Sequence, residues 1–187
     1  MKSSYEIAEP DAIDLQIIEI LQEQGRIALV KLGEHVGLSA PSAIERVKKL
    51  EDGGIITGYH ASVNARLLGK DVAAFIGVSI SDPRTISQFE QTVEQLDDVL
   101  ECHHVTGEYT VLLKVKTRNT TSLEELIKTV RMINGVSQTE TMVVLSTHTE
   151  RTQIVVSNRN THSHESGNGK RHRHGSVKSA SPEAKRA

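Results

Sequence analysis

Two groups of histidines are the first residues in this sequence whose types and spacing could do chemistry. Four of them, His162, His164, His172 and His174, recur near the end of the chain and could chelate a metal ion. A defined metal site needs ligands held in a fixed geometry, and this low-complexity stretch offers neither cysteines nor a closing carboxylate. We therefore predict no bound metal and no cofactor.

The second group, His103 and His104, follows Cys102 and suggests a nucleophile beside its base. These residues lie in a predicted strand, where neighbouring side chains point to opposite faces, so Cys102 and His103 cannot form a dyad by adjacency. As the only cysteine, Cys102 also cannot make an internal disulfide or a multi-cysteine zinc site. The chain lacks a glycine-rich phosphate loop, a paired-carboxylate site and a histidine-based triad, so we predict that it is not an enzyme.

The chemistry that remains is binding, and the first elements that would support it are helices. Apolar side chains recur at intervals of three and four from residue 11 to residue 52, which predicts three short helices. Asp11 or Asp14 caps the first, Gly37 makes a tight turn after the second, and Ser39 caps the third. A run of β-formers around Gly58 then predicts a short hairpin over residues 55–63. The apolar positions of the third helix are Ile44, Val47 and Leu50.

From residue 72 the pattern changes to strand, helix, strand, strand, helix, strand. This order is the split-βαβ, or ferredoxin-like, arrangement, in which both helices cover one face of an antiparallel sheet. The other face needs a cover, which favours a dimer formed by sheet packing. Thr121 or Ser122 is the expected cap of the second helix. The predicted strands are Val72–Ile80, Val99–Thr106, Tyr109–Val115 and Val136–Leu145, with Gln153–Val156 as a candidate extension.

The end of the chain differs from the rest in composition and charge. From His148 onward there are 8 Lys or Arg and 3 Asp or Glu, a charge of +5, whereas the preceding residues carry 14 and 21, a charge of −7. Residues 157–187 hold Val177 as their one large apolar residue and cannot offset their own ordering entropy, so we predict a disordered basic tail. The sequence shows no signal peptide and no apolar run long enough to span a membrane, which predicts a cytoplasmic protein.

Short motifs in a fixed order run through the chain. In the first half they are Gly25-Arg26-Ile27, Val36-Gly37-Leu38-Ser39, Glu45-Arg46-Val47-Lys48-Lys49-Leu50-Glu51, Gly54-Ile55-Ile56 and Leu68-Gly69, and in the second half Val105-Thr106-Gly107-Glu108-Tyr109, Leu112-Leu113-Lys114-Val115 and Gly135-Val136. Together they resemble the Lrp/AsnC, or feast/famine, family of transcriptional regulators over residues 11–156. Order and spacing over such a length are far more specific than a lone helix-turn-helix.

The resemblance implies an α+β protein with two functional domains. We expect a flexible N-terminus (1–10), a winged helix-turn-helix DNA-binding domain (11–62), a linker (63–71), a ferredoxin-like ligand-sensing and oligomerisation domain (72–156) and the disordered basic tail (157–187). The family implies a homodimer, often assembled into octamers or larger discs, whose binding to double-stranded DNA responds to an amino acid.

DNA contacts are expected on the third helix, because a helix-turn-helix presents the N-terminal side chains of its second helix to base edges in the major groove. Residues 11–62 hold five basic and eight acidic side chains, a weak charge footprint for such a domain. Oligomers multiply weak contacts, and the basic tail either adds phosphate binding or is an inert solubilising extension. The predicted groove contacts are Ser42, Ala43 and Arg46, and the predicted phosphate contacts are Ser39, Lys48 and Lys49.

The turn Gly107-Glu108-Tyr109-Thr110 is the candidate effector site. Exposed backbone amides at a glycine turn can bind a ligand carboxylate, and nearby acceptors can hold its ammonium. The family motif usually continues with an aspartate where this chain has Thr110, and commonly with an aromatic where it has Val111. Glu108 substitutes for that aspartate only if it faces the site. The alternative is a turn that simply joins two strands.

We therefore expect a sequence-specific DNA-binding transcriptional regulator, modulated by an amino-acid effector, with no membrane association and with a place on the prokaryotic nucleoid. The basic tail and Thr110 favour an alternative, a ligand-independent architectural protein of the nucleoid that binds DNA by its shape. A third class is a metabolic enzyme or amino-acid-binding module whose helices serve only assembly.

Overall fold

The computed structural model describes residues 9–156. The chain passes from one compact unit to a second between Ile56 and Thr57, and each unit has its own hydrophobic core. The predicted disordered tail, residues 157–187, and most of the predicted flexible N-terminus lie outside the described residues.

The first unit contains three helices, as the apolar periodicity predicts. Asp11 caps α1 by accepting hydrogen bonds from the backbone N–H groups of Ile13 and Asp14, while the Asp14 carboxylate accepts from the Asp11 N–H. The core lies between the helices and is built on Ile17, Leu32 and other aliphatic side chains. The helices are α1 (Ala12–Glu23), α2 (Leu29–Val36) and α3 (Ala40–Asp52).

Two glycines make the tight turn between α2 and α3. Gly37 has a φ of 71°, in the left-handed region that favours glycine. A Cβ on Gly33 would lie 2.8 Å from the Leu38 carbonyl oxygen, so the close approach of the turn to α2 depends on the missing side chain. The predicted turn at Gly37 and the predicted cap at Ser39 are confirmed.

The predicted short hairpin over residues 55–63 is wrong, because these residues form no strand. The N–H groups of Ile55 and Ile56 bond instead to the Leu50 carbonyl and close the end of α3. β-propensity alone does not make a strand, since an isolated two-stranded hairpin is marginal without further strands or a helix to pack on. The segment continues irregularly to a single 3-10 turn at Arg66–Leu68.

The second unit is a four-stranded antiparallel sheet with the strand order β2-β3-β1-β4. This is the predicted ferredoxin-like arrangement. Side chains from α4 and α5 pack on one face of the sheet, where Ile76, Phe89 and Val130 are fully buried. The elements are β1 (Val72–Ile80), α4 (Ile86–Glu94), β2 (Val99–His104), β3 (Val111–Thr117), α5 (Thr120–Arg131) and β4 (Val136–Val143).

The opposite face of the sheet, which we call the open face, carries no helix. Phe75 and Leu112 are half-buried there, and Met142, the register partner of Phe75, is 42% exposed. The open face also carries charge, since Lys114 pairs with Glu101 at 3.0 Å and with Glu150 at 2.7 Å.

Three boundaries differ from their predictions. The cap of α5 is Asn119 rather than Thr121 or Ser122, because the Asn119 side chain accepts from the Ser122 N–H and the Ser122 hydroxyl accepts from the Asn119 N–H. The strands β2 and β3 stop short of their turn, and Gln153–Val156 forms no strand.

Candidate DNA-reading helix and effector loop

Two hydroxyls lie together at the N-terminus of α3. The Ser39 Oγ accepts from the Ser42 N–H at 3.4 Å and lies 2.9 Å from the Ser42 Oγ. Ser39 is exposed and Ser42 is half-buried. The free N–H groups of a helix N-terminus attract anions, so this end of α3 is suited to a DNA phosphate.

The predicted groove contact from Ala43 is wrong, because this side chain is fully buried in the first unit. Ala43, Val47 and Leu50 share the inner side of α3. Ile44, whose apolar character suggested a core position, is 46% exposed. Apolar spacing alone leaves the centre of the buried stripe uncertain by about one residue, or about 100° of rotation, and packing on α1 and α2 decides it.

Arg46 lies in an ion pair within the first unit. Its Nη1 donates to the Asp11 Oδ2 at 2.7 Å and to the Asp14 Oδ1 at 2.8 Å. The Asp14 N–H and the Arg46 guanidinium hold the pKa of the Asp11 carboxyl below its ordinary value. The pair ties the first turn of α1 to the middle of α3. Sequence reasoning missed it because the partners lie 35 and 32 residues from Arg46.

Lys48 and Lys49 are exposed on the second half of α3. Neither forms an ion pair with another residue in the part of the chain that the structure describes. Their ammonium groups are therefore available to phosphates, as the sequence predicts for them.

The effector loop connects β2 to β3, and two hydrogen bonds hold its far end to the sheet. Gly107 has a φ of 121°, which favours glycine. The Thr110 N–H donates to the Val78 carbonyl at 2.9 Å, and the Thr110 Oγ1 accepts from the Ile80 N–H at 3.1 Å. The Thr110 hydroxyl thus completes the end of β1, which separates this residue from a ligand-binding role.

Tyr109 lies flat on the open face. A Cβ on Gly77 would meet its ring at 2.7 Å, so the ring packs directly on the glycine backbone. Its hydroxyl donates to the Glu140 Oε2 at 2.6 Å, and this bond, with the negative charge of Glu108, raises the pKa of Tyr109 to about 12. The Ser79 hydroxyl donates to the Glu108 carbonyl at 3.4 Å, while the Glu108 side chain is exposed. The structure therefore brings two carboxylates, not Thr110, to this loop.

The other sequence candidates fall in different places. Cys102 lies in register with Leu113 on the helix-covered face, and His103 lies in register with Leu112 on the open face, as strand alternation predicts. Within residues 9–156, no three His, Cys, Asp or Glu side chains are grouped so that they could hold a metal ion. The four tail histidines lie outside the described residues. No helix described in the structure combines the length and apolar character needed to cross a membrane.

Both units match known domain families. Residues 11–51 match the AsnC-type helix-turn-helix domain, and residues 73–154 match the Lrp/AsnC ligand binding domain. The chain belongs to the Lrp/AsnC family. It is therefore a DNA-binding transcriptional regulator with a ligand-binding second domain, as the sequence motifs predict. The presence of that domain favours a ligand-responsive regulator over the architectural alternative.

Relatives within the Lrp/AsnC family span nearly their full lengths in these matches. The chain is 44% identical over 136 residues to YezC of Bacillus subtilis, described as an uncharacterized HTH-type transcriptional regulator, with 73% of this chain and 94% of YezC covered. It is 34% identical over 152 residues to the leucine-responsive regulatory protein of Escherichia coli K12, with 80% and 93% covered.

Solved structures give the same result. Escherichia coli AsnC has a TM-score of 0.71 at 33% identity, with 76% of this chain and 97% of AsnC covered. A transcriptional regulator from Neisseria meningitidis, solved as a complex with L-Met, has a TM-score of 0.74 at 31% identity, with 78% and 96% covered.

Proposed function

We propose that this Lrp/AsnC regulator reads double-stranded DNA with the N-terminal half of α3. Ser39, Lys48 and Lys49 bind phosphates and position the helix, while Ser42 faces the groove. Base reading by Arg46 stays a prediction, and it requires the guanidinium to exchange two charge-assisted hydrogen bonds for a base edge. The observation that supports the proposal is the pair of exposed lysines on a helix whose N-terminus carries two hydroxyls.

The effector in this proposal is an amino acid that binds at Gly107, Glu108 and Tyr109. The backbone amides at the glycine turn bind its carboxylate, and the exposed Glu108 carboxylate accepts from its ammonium. Thr110, the fourth residue of the predicted site, contributes only through its bonds to β1. The L-Met complex of the Neisseria meningitidis relative supports an amino acid as the ligand class.

The functional unit in this proposal is a homodimer that assembles into an octamer or another higher oligomer. The open face, with Phe75, Leu112 and Met142, offers the apolar surface for a second copy. The effector shifts the balance between assemblies and so respaces the DNA-reading helices. The protein acts on the prokaryotic nucleoid in the cytoplasm and catalyses no reaction, in keeping with relatives named as transcriptional regulators.

The experiment is nuclease footprinting of the full chain on the DNA upstream of its own coding region, with and without a pool of amino acids. Protection that repeats at about one helical turn and changes with the pool supports the proposal. Phased protection that ignores the pool supports the architectural alternative. No protection overturns DNA binding and returns attention to the second unit as a binding module.

Matched variants assign the residues. Lys48→Gln with Lys49→Gln should lower the salt dependence of DNA affinity by about 0.9 per lost phosphate contact, whereas Lys128→Gln on α5 should leave it unchanged. Glu108→Gln should abolish the amino-acid response, whereas Glu125→Gln, an exposed residue on α5, should retain it. An undiminished response in Glu108→Gln would rule out Glu108 as the ammonium partner.

A further inference from the structure

Glu45 occupies the centre of the outward side of α3. It lies two residues after Ala43 and two before Val47, and both of those side chains are buried. Each residue of an α-helix turns the side chain by about 100°, so Glu45 lies about 200° around the axis from each of them. Its side chain is exposed. An acidic residue therefore stands where a reading helix faces the base edges.

The Glu45 carboxylate also has no partner of its own. In the stretch from residue 9 to residue 156, no ion pair or hydrogen bond holds it, although Lys48 and Lys49 lie one turn further along the same helix. Arg46, its neighbour, is turned away to Asp11. A lone carboxylate on this side is repelled by DNA phosphates and loses hydration in the groove, so it needs a donor there.

Two bases offer an amino donor in the major groove. Adenine carries its N6 amino group beside the N7 acceptor, whereas cytosine presents its N4 amino group without an acceptor next to it. A carboxylate accepts hydrogen bonds and donates none, so N7 repels it and cytosine is the better partner. We propose that Glu45 is a specificity-determining residue that accepts a hydrogen bond from the N4 amino group of a cytosine in each half-site. This inference rests on the proposed function, in which α3 reads the major groove.

The charge of the first unit fits this role. With five basic and eight acidic residues in 11–62, the unit gains little from general attraction to phosphates. A carboxylate that is satisfied only at the correct base raises the cost of every other sequence, so Glu45 contributes discrimination more than affinity.

The experiment selects binding sites for the full chain from randomised double-stranded DNA and then measures the affinity for one selected site and its single-base variants. We expect a C·G pair at one fixed position of each half-site, with a loss of roughly 5-fold to 150-fold when it is replaced. Glu45→Ala should lose the preference at that position alone and bind random DNA more tightly. Glu45→Gln should move the preference to adenine, because an amide can pair with both N6 and N7.

Glu19→Gln is the matched control, since it removes the same charge from an exposed position on α1. It should leave the selected sequence unchanged. The inference is overturned if Glu45→Ala and Glu45→Gln keep the cytosine preference, or if they change the affinity for all sequences by one common factor. If the unaltered chain selects no sequence, DNA reading itself fails, which is the separate failure of the proposed function.

Discussion

The ion pair of Arg46 makes a quantitative prediction about the first unit. Asp14 is 5% exposed and accepts two hydrogen bonds, from the Asp11 N–H at 3.1 Å and from the Arg46 guanidinium at 2.8 Å. Asp14→Ala removes both acceptors. The lost capping bond costs about 1 kcal/mol, and the charged bond costs about 1 kcal/mol more once the partial exposure of Arg46 is allowed for. We expect the free energy of unfolding of the first unit to fall by about 2 kcal/mol.

The assay is urea unfolding of the full chain followed by far-ultraviolet circular dichroism, with native-state hydrogen exchange of the α1 amides to assign the loss to the first unit. Glu19→Ala is the control, because it removes a carboxylate from the exposed side of the same helix. Equal losses in Asp14→Ala and Glu19→Ala would refute the reasoning, since the buried carboxylate would then contribute no more than an exposed one.

A double-mutant cycle separates the capping bond from the ion pair. The coupling between Asp14→Ala and Arg46→Ala should be roughly 1 kcal/mol, because each variant alone removes the same contact. A coupling near zero would mean that Arg46 is not held in solution, and the predicted base contact from Arg46 would then gain support. The same cycle therefore decides between positioning and reading for this residue.

Three further predictions concern the second unit. Gly77→Ala should displace the Tyr109 ring and weaken amino-acid binding measured by calorimetry, whereas an unchanged affinity would place the ligand elsewhere. Thr110→Val should lower the free energy of unfolding by about 1 kcal/mol and Thr110→Ser much less, because only serine keeps the hydroxyl that accepts from β1. Lys114 lowers the pKa of Glu150, so this carboxylate stabilises the fold above its ordinary pKa and the contribution is lost as the pH falls through the lowered pKa. Acid unfolding of Lys114→Met should show a weaker dependence on pH in that range, and an identical acid profile would contradict the pairing.

Local rules account for most of the fold. The bounds of β1 agree with the prediction because its alternating and continuous apolar residues are flanked by polar and proline-containing segments. The turn before α3 follows from Gly37 and Ser39, whose conformations depend on their immediate neighbours. The hairpin at residues 55–63 failed for the opposite reason, since a strand requires a partner that no local pattern supplies.

The candidate site was less accessible from sequence, because three of its features depend on contacts between distant segments. The rotation of α3, which buries Ala43 and exposes Ile44, is decided by packing on the other two helices. The role of Thr110 depends on β1, 30 residues away in the chain. Each error therefore lies where the partner of a residue cannot be read from its neighbours in sequence.

The same distinction separates the two functions proposed for α3. Arg46 faces inward to two carboxylates, so the residue best suited to read guanine is the one that the fold uses to hold its reading helix. Glu45 faces outward without a partner among the described residues, so the side chain least suited to bind DNA by charge is the one left to meet the bases. Because an unsatisfied carboxylate penalises every sequence that lacks a donor, recognition on this helix would depend on excluding wrong sites as much as on attracting the right one.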